Sequence, residues 1–490
     1  MGVSLFSSRI IIDALGVENY GIYTIVGGFI SLFAVFLGSL DSAASRFFAF
    51  EIGKGQGANL KIVFRTSLFT HVFYAIVVAL LLEVLGIYFL KNKLIIPHER
   101  IDAAIYIFHF SVVSIFISIV QKPLSALIIA EEKMKIYTYL GIFDVIVKLI
   151  IAVMLFYIIS DKLILYGFLL MISGWITFLL HHFYCRMKIS NSYSFKPMLN
   201  ISLQKKMLVY IGWSFIGTIS SVLRVQGINM LFNIFYGVVV NAAFGIAYQV
   251  YNIIAGFVNN FTIAINPQII KRYASGDYDS MNKLIIKGAK YTYFLLLLIA
   301  LPIIFNMDFL LNIWLVEVPP HASIFAKLLT VSLLVTIISN PIVTALYATG
   351  DIMMFQLAAG IPSLLILPIS YLFIKTGYNP EIVYYIIIIF NIICNFIVIY
   401  ILKLKTSQFV TKDFVLFSVF PSVLVTASSL FPSYIINKVF FESNWVSFFI
   451  VSIVCILSTI LSIIFIGLNK QERKWFLRKI VAVIIRVVKV

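Results

Sequence analysis

Cysteine, acidic residues and histidine are all scarce in this chain. The three cysteines (Cys185, Cys394, Cys455) lie in or at apolar runs, which leaves no disulfide framework and no thiolate metal site. Aspartate and glutamate number 20 against 37 lysines and arginines, and all charged residues together make up 12% of 490. No Gly-rich phosphate loop of the Walker A type occurs, so ATP hydrolysis by that route is excluded. No long loop carries the paired carboxylates or His–acid sets that a glycosyltransferase, ligase or polymerase would need. Neither a cofactor nor a metal is expected. Strict apolar–polar alternation is also missing, which argues against a membrane β-barrel.

What the chain has instead is apolar length. Hydrophobic residues are 62% of the total and the mean hydropathy is +1.05. A soluble chain of this length could not bury that much apolar surface. Long apolar runs between short charged loops read as an all-α polytopic membrane protein. The net charge of +17 is then explained by basic loops that orient the helices, and no nucleic-acid partner is expected.

Fourteen spans can be placed from the apolar runs. They cover 1–15, 21–50, 64–90, 101–130, 136–159 and 163–185, then 207–235, 238–265, 291–306, 324–349, 352–374 and 382–402, with a last pair at 414–436 and 445–467. The first is shorter than the roughly 20 residues needed to cross a bilayer. It begins at Met1 without a charged flank, so an incomplete first helix is expected, and a signal peptide fits poorly.

Two motifs recur in the same order. Tyr20-Gly21-Ile22, a long apolar run, Arg46 and Gly53 return about 224 residues later as Phe244-Gly245-Ile246, Lys271 and Gly276. PLSALIIA at 123–130 with its polar turn EEKM returns as PIVTALYA at 341–348 with the turn TGDI. Ordered recurrence of this kind indicates a duplicated half. Spans 1–6 map onto 7–12, and since six is even both halves enter the membrane in the same sense, as parallel repeats do. The expected divisions are an N-terminal lobe at 1–206, a C-terminal lobe at 207–404, an added helix pair at 405–468 and a basic amphipathic tail at 469–490. That tail is expected to lie on an anionic membrane surface.

With both termini cytoplasmic, 25 basic residues fall in cytoplasmic loops or the tail and 7 on the other side, which supports the orientation and the even count. Five cations remain inside apolar runs: Arg9, Arg46, Lys122, Lys148 and Arg224. A charge at the centre of a bilayer costs roughly 2.5–3.5 kcal/mol on insertion scales, so these five are the candidate substrate-binding cations of a polar cavity. Each has a plainer alternative. Arg46 lies near the end of its run and could reach the interface, Lys122 sits beside Pro123 at a kink, and Lys148 has Asp144 one turn away. Arg9 similarly has Asp13. Only Arg224 has no acid in its own run. Asp144 and Asp41 are the candidate coupling or ion-pair acids. Gln226, Asn229, Asn233, Asn241 and Gln249 form a dense polar group around Arg224, able either to contact sugars or to bond helix to helix. His71 and His109 read as packing groups, and His181 and His182 as interface residues.

The motifs SRIIIDALGVENYGIY, ASRFFAFEIGKG, QKPLSALIIAEEKM, NPQIIKRYASGD and NPIVTALYATGDI resemble those of the polysaccharide and O-antigen flippases of the multidrug/oligosaccharidyl-lipid/polysaccharide exporter superfamily. The resemblance covers nearly the whole chain. It implies about 14 transmembrane helices in two parallel six-helix repeats that form a two-lobed bundle, plus a C-terminal helix pair. It also implies alternating access in an inner (cytoplasmic) membrane, and transfer of an undecaprenyl-diphosphate-linked oligosaccharide to the periplasmic leaflet for surface polysaccharide and lipopolysaccharide export. Its implied partners are the lipid-linked oligosaccharide, membrane lipids, a coupling Na or H ion, and glycan polymerase and export machinery, around a monomer. The alternatives are a cation-coupled multidrug exporter of the same superfamily, which would favour unpaired acids in the cavity, and a membrane enzyme of glycan assembly such as a polymerase.

Overall fold

The computed structural model describes residues 10–11, 13–16, 19–23, 26–27, 34–55, 57–92, 97–157, 161–189, 192–315, 317–440, 444–474 and 478. All regular structure among them is helical. The main helices are α1 (Ala34–Gly53), α2 (Gly57–Asn92), α3 (Ile101–Ala130), α4 (Met134–Met154) and α5 (Lys162–Lys188). They continue as α6 (Ile201–Gly237) and α7 (Val239–Ala274), which meet at the left-handed Gly237. Then follow α8 (Tyr278–Phe305), α9 (Met307–Trp314), α10 (Ala322–Ile337), α11 (Asn340–Thr349), α12 (Met353–Lys375), α13 (Ile382–Lys405), α14 (Thr411–Val439) and α15 (Trp445–Gly467).

Eleven helices among the described residues are long and apolar enough to cross a membrane, or twelve with α10 and α11 taken as one broken span. These twelve coincide with sequence spans 3–14. Span 1 falls largely outside the described residues, and the latter part of span 2 is α1. The chain is a multi-pass, all-helical membrane protein.

The chain divides into two compact units. Unit 1 comprises Met1–Ile219, Ile270–Gly276 and Gly350–Gln356, and unit 2 comprises Ser220–Ile269, Asp277–Thr349 and Leu357–Val490. In unit 1, α3 is the central helix and packs on α1, α2 and α5. In unit 2, α10 packs on α8 and α13, and α11 packs on the same two. The fourth span therefore packs on the third and sixth, and the tenth on the ninth and twelfth, so the two halves of the duplication share one packing order. Their prolines act differently. Pro123 lies inside a continuous α3, whereas Pro341 opens α11 after a 47° bend from α10. Near a helix start the missing N–H of proline costs nothing, because that donor has no partner within the helix.

Unit 2 is filled by two apolar clusters. One centres on Phe232, Phe244, Phe325 and Tyr384, with the Phe232 and Phe325 rings stacked 5.4 Å apart. The other joins α8 to α14 and α15 through Leu296, Leu297, Val425, Val451 and Cys455. Serines line the α14–α15 seam, where Ser433 and Ser458 approach to 3.3 Å. Small side chains there let two helices come close where lipid gives no hydrophobic drive to associate. In contrast α4 buries only Ile151 and Ala152 among its described residues and presents the rest of its apolar surface outward.

Side-chain caps from Asp161, Asn200, Asp277 and Asn444 start α5, α6, α8 and α15. Asp161 accepts from the amides of Leu163 and Ile164 at 3.0 and 3.2 Å, and Arg100 donates to its two carboxylate oxygens at 2.6 and 3.2 Å. Burial pushes the Asp161 carboxyl up, but the Arg100 and backbone hydrogen bonds outweigh it and hold it below its ordinary range. Its stabilising contribution is therefore complete above the ordinary carboxylate pKa and is lost as pH falls through the lowered folded value. Asp161→Ala is expected to cost about 2 kcal/mol near neutral pH. Thermal unfolding in detergent should show the gap to wild type narrowing once pH falls below about 4; a gap that stays constant with pH would contradict this role.

Candidate functional site

The cations read from the sequence meet different surroundings. In unit 1, Lys122 on α3 faces Asp41 on α1 at 3.5 Å, and Lys148 lies 2.7 Å from Asp144 on the same face of α4. Lys148 is half exposed on the outward-facing helix. Arg9 lies outside the described residues. Arg46 is buried, with its guanidinium 4.6 Å from the Phe47 ring, 4.4 Å from Phe50 and 6.0 Å from Tyr210. Aromatic faces carry partial negative charge and stabilise a desolvated cation, so the ring cluster explains how this charge is tolerated.

Arg46 also packs against the turn after α11. A Cβ at Gly350 would lie 2.5 Å from its Nη2, and Gly350 has φ +80°. The corresponding turn of the first repeat contains Glu132, also left-handed at φ +60°. Glu132 pairs with Lys271 at 2.7 Å, and Lys271 is the repeat counterpart of Arg46. Each basic residue of one repeat thus meets the left-handed turn of the other, all within unit 1. Gly53 sits at the crossing, where a side chain would collide with the Lys271 backbone. Sequence reasoning passed over Glu132 and Gly350, although both occupy the same place in the second recurring motif.

Further into unit 1 is a second set of polar residues. Gln121 Nε2 lies 3.2 Å from His181 Nδ1, which also lies 2.8 Å from the Thr177 carbonyl. His181 is 4% exposed, so it is a buried partner of Gln121. His71 is fully buried and donates from Nδ1 to the Ser67 carbonyl at 2.8 Å. His109 pairs with Glu83 at 3.0 Å.

Unit 2 holds Arg224. The phenols of Tyr248 and Tyr251 on α7 and the thiol of Cys394 on α13 are its electrostatic neighbours. Its Nε is buried without a hydrogen-bond partner, and no carboxylate among the described residues lies within ion-pair distance. The nearby amides do not gather around it. Helical residues rotate by about 100° each, which puts Gln226, Asn229 and Asn233 on the face of α6 opposite Arg224. Gln226, Asn233 and Gln249 are exposed, Asn229 is half-buried, and the Asn241 Oδ1 is buried without a partner. Asn391 and Asn395, which sequence reasoning missed, donate from α13 to Ser332 Oγ and the Val335 carbonyl at 2.8 and 2.7 Å, and so join α13 to α10.

No family model and no curated protein matches the sequence. Solved structures do. A MATE point mutant superposes with TM-score 0.72 at 14% identity, covering 84% of this chain and 93% of that one. The fold is that of the MATE transporters. An outward-facing multidrug resistance MATE family transporter of the MOP superfamily matches with TM-score 0.69 at 14% identity, over 84% and 93% of the two chains. A MOP superfamily transporter from Pyrococcus furiosus, described as having a binding pocket of reverse polarity that suggests a different function, gives the same TM-score, identity and coverage. At this identity the MATE likeness establishes architecture alone.

The crossed contacts in unit 1 are open to a direct test. Gly350→Ala should cost about 1–3 kcal/mol, through its left-handed backbone and the collision with Arg46. The thermal midpoint of the purified variant measures this, and an unchanged midpoint would show that the turn and Arg46 do not depend on each other.

Proposed function

We propose that this chain is a transporter that flips a lipid-linked oligosaccharide, carried on undecaprenyl diphosphate, by alternating access from the cytoplasmic to the periplasmic leaflet. Arg224 carries this reading. It is an intramembrane cation without a carboxylate partner among the described residues, set beside two phenols, and it can accept a diphosphate as its counter-ion. The acids first considered as coupling groups, Asp41 and Asp144, each face a lysine, which makes them poorer hosts for a cationic drug. In this reading Lys122 and Lys148 balance those acids, and Arg46 with Lys271 holds the crossed turns together. The exposed Gln226, Asn233 and Gln249 are assigned to sugar or lipid contacts away from the charge.

A cation-coupled multidrug exporter is the second reading, and the MATE neighbours support it equally. The two differ in the sign of the cargo. In proteoliposomes, the full-length protein should translocate a fluorescent undecaprenyl-diphosphate oligosaccharide and leave organic cations behind. Arg224→Ala should slow lipid transfer by about tenfold or more, with Arg224→Lys retaining most of it. Extrusion of organic cations without lipid transfer would replace the proposal with the drug-exporter reading.

A further inference from the structure

At the basic-rich end of unit 1 lies a cavity of about 320 Å³, lined by His182, Arg186, Tyr193, Ser194, Phe195 and Lys196. It is formed by the last turns of α5 and the non-helical segment before α6. The segment is held in place by its own contacts. Arg65 Nε donates to the Lys196 carbonyl at 2.8 Å, and the Met198 amide donates back to the Arg65 carbonyl at 3.3 Å. The Tyr193 hydroxyl lies 2.6 Å from His182 Nδ1, and the Phe195 ring stands edge-on to His182 at 4.9 Å. With Tyr193 donating to Nδ1, the proton of neutral His182 is on Nε2.

Among the described residues the charges of this cavity have no counter-charge. Neither Arg186 nor Lys196 has a carboxylate within 4 Å there. The guanidinium, the ammonium and the Ser194 hydroxyl are donors suited to a compact anion. The surface around them is of the opposite character. Phe183, Met187, Leu199 and Ile201 are 51, 73, 51 and 76% exposed. A soluble phosphate would gain nothing from those side chains, whereas a lipid would lay its acyl chains on them. The cavity volume suits a headgroup and is too small for a whole lipid.

We infer that this cavity binds the phosphate of an anionic phospholipid, held between Arg186 and Lys196 with its chains along the exposed apolar residues. The site shares no residue with the surroundings of Arg224 and does not depend on the identity of the transported cargo. It gives unit 1 a resident lipid at the basic-rich membrane surface, where anionic headgroups concentrate.

The test is equilibrium binding of a fluorescent phosphatidylglycerol to the full-length protein in a zwitterionic detergent. Wild type should bind it about 25-fold more tightly than Arg186→Ala/Lys196→Ala and about fivefold more tightly than Lys196→Gln alone. Arg186→Lys with Lys196→Arg should keep most of the affinity, and Lys375→Ala should leave it unchanged. The single Lys196→Gln variant decides the matter if the double variant fails to fold. Equal binding of phosphatidylcholine, or equal binding by the alanine variant, would overturn the site. Displacement of the lipid by inorganic phosphate at comparable concentration would overturn its assignment to a lipid in favour of a soluble phosphoanion.

Discussion

A charge held in a low-dielectric membrane interior needs a counter-charge, an aromatic face or water, and the structure is organised by how each cation meets that need. Lys122 and Lys148 face carboxylates, and Arg46 lies among three rings. Arg224 acts electrostatically on the Tyr248 and Tyr251 phenols and the Cys394 thiol, with no carboxylate within ion-pair distance among the described residues. Among the described residues, that difference separates charges that face a partner from one that could meet an external anion. It also bears on the sign of any ligand there, because an intramembrane cation without a carboxylate partner is stabilised by an anion and destabilised by a second cation.

The duplication gives the chain its scaffold and a close internal crossing in unit 1. Each half packs its fourth span on its third and sixth. The residues that end the second and eighth spans, Arg46 and Lys271, then meet the left-handed turns of the opposite repeat. One turn supplies a glutamate to pair with the basic residue. The other supplies a glycine, which leaves room for a guanidinium already satisfied by aromatic rings. Such an exchange of roles between related positions is expected once two copies diverge while keeping one geometry.

Hydropathy alone made most of the fold readable. Spans 3–14 follow from runs of Leu, Ile, Val and Phe too long for a soluble core, whereas the break before Pro341 was not readable from the proline, since Pro123 at the same repeat position leaves α3 continuous. The pairing of Asp144 with Lys148 was readable because four residues make one helical turn. The pairing of Lys271 with Glu132 was not, since it joins residues far apart in the chain. The amides were misgrouped for a different reason. Density along the sequence placed Gln226, Asn229 and Asn233 with Arg224, while the helical angle puts them on the opposite face. Glu132 and Gly350 left a signal in their shared repeat position, but a polar turn looks ordinary until its backbone conformation is known.

Whether the Arg224 charge recognises phosphate is the central question. Binding of undecaprenyl diphosphate, undecaprenyl monophosphate and undecaprenol to wild type and Arg224→Gln tests this most directly. A phosphate-binding Arg224 requires that the substitution weaken the diphosphate by about tenfold or more, weaken the monophosphate less, and leave the alcohol unchanged. Equal losses for all three lipids, or none for the diphosphate, would contradict it.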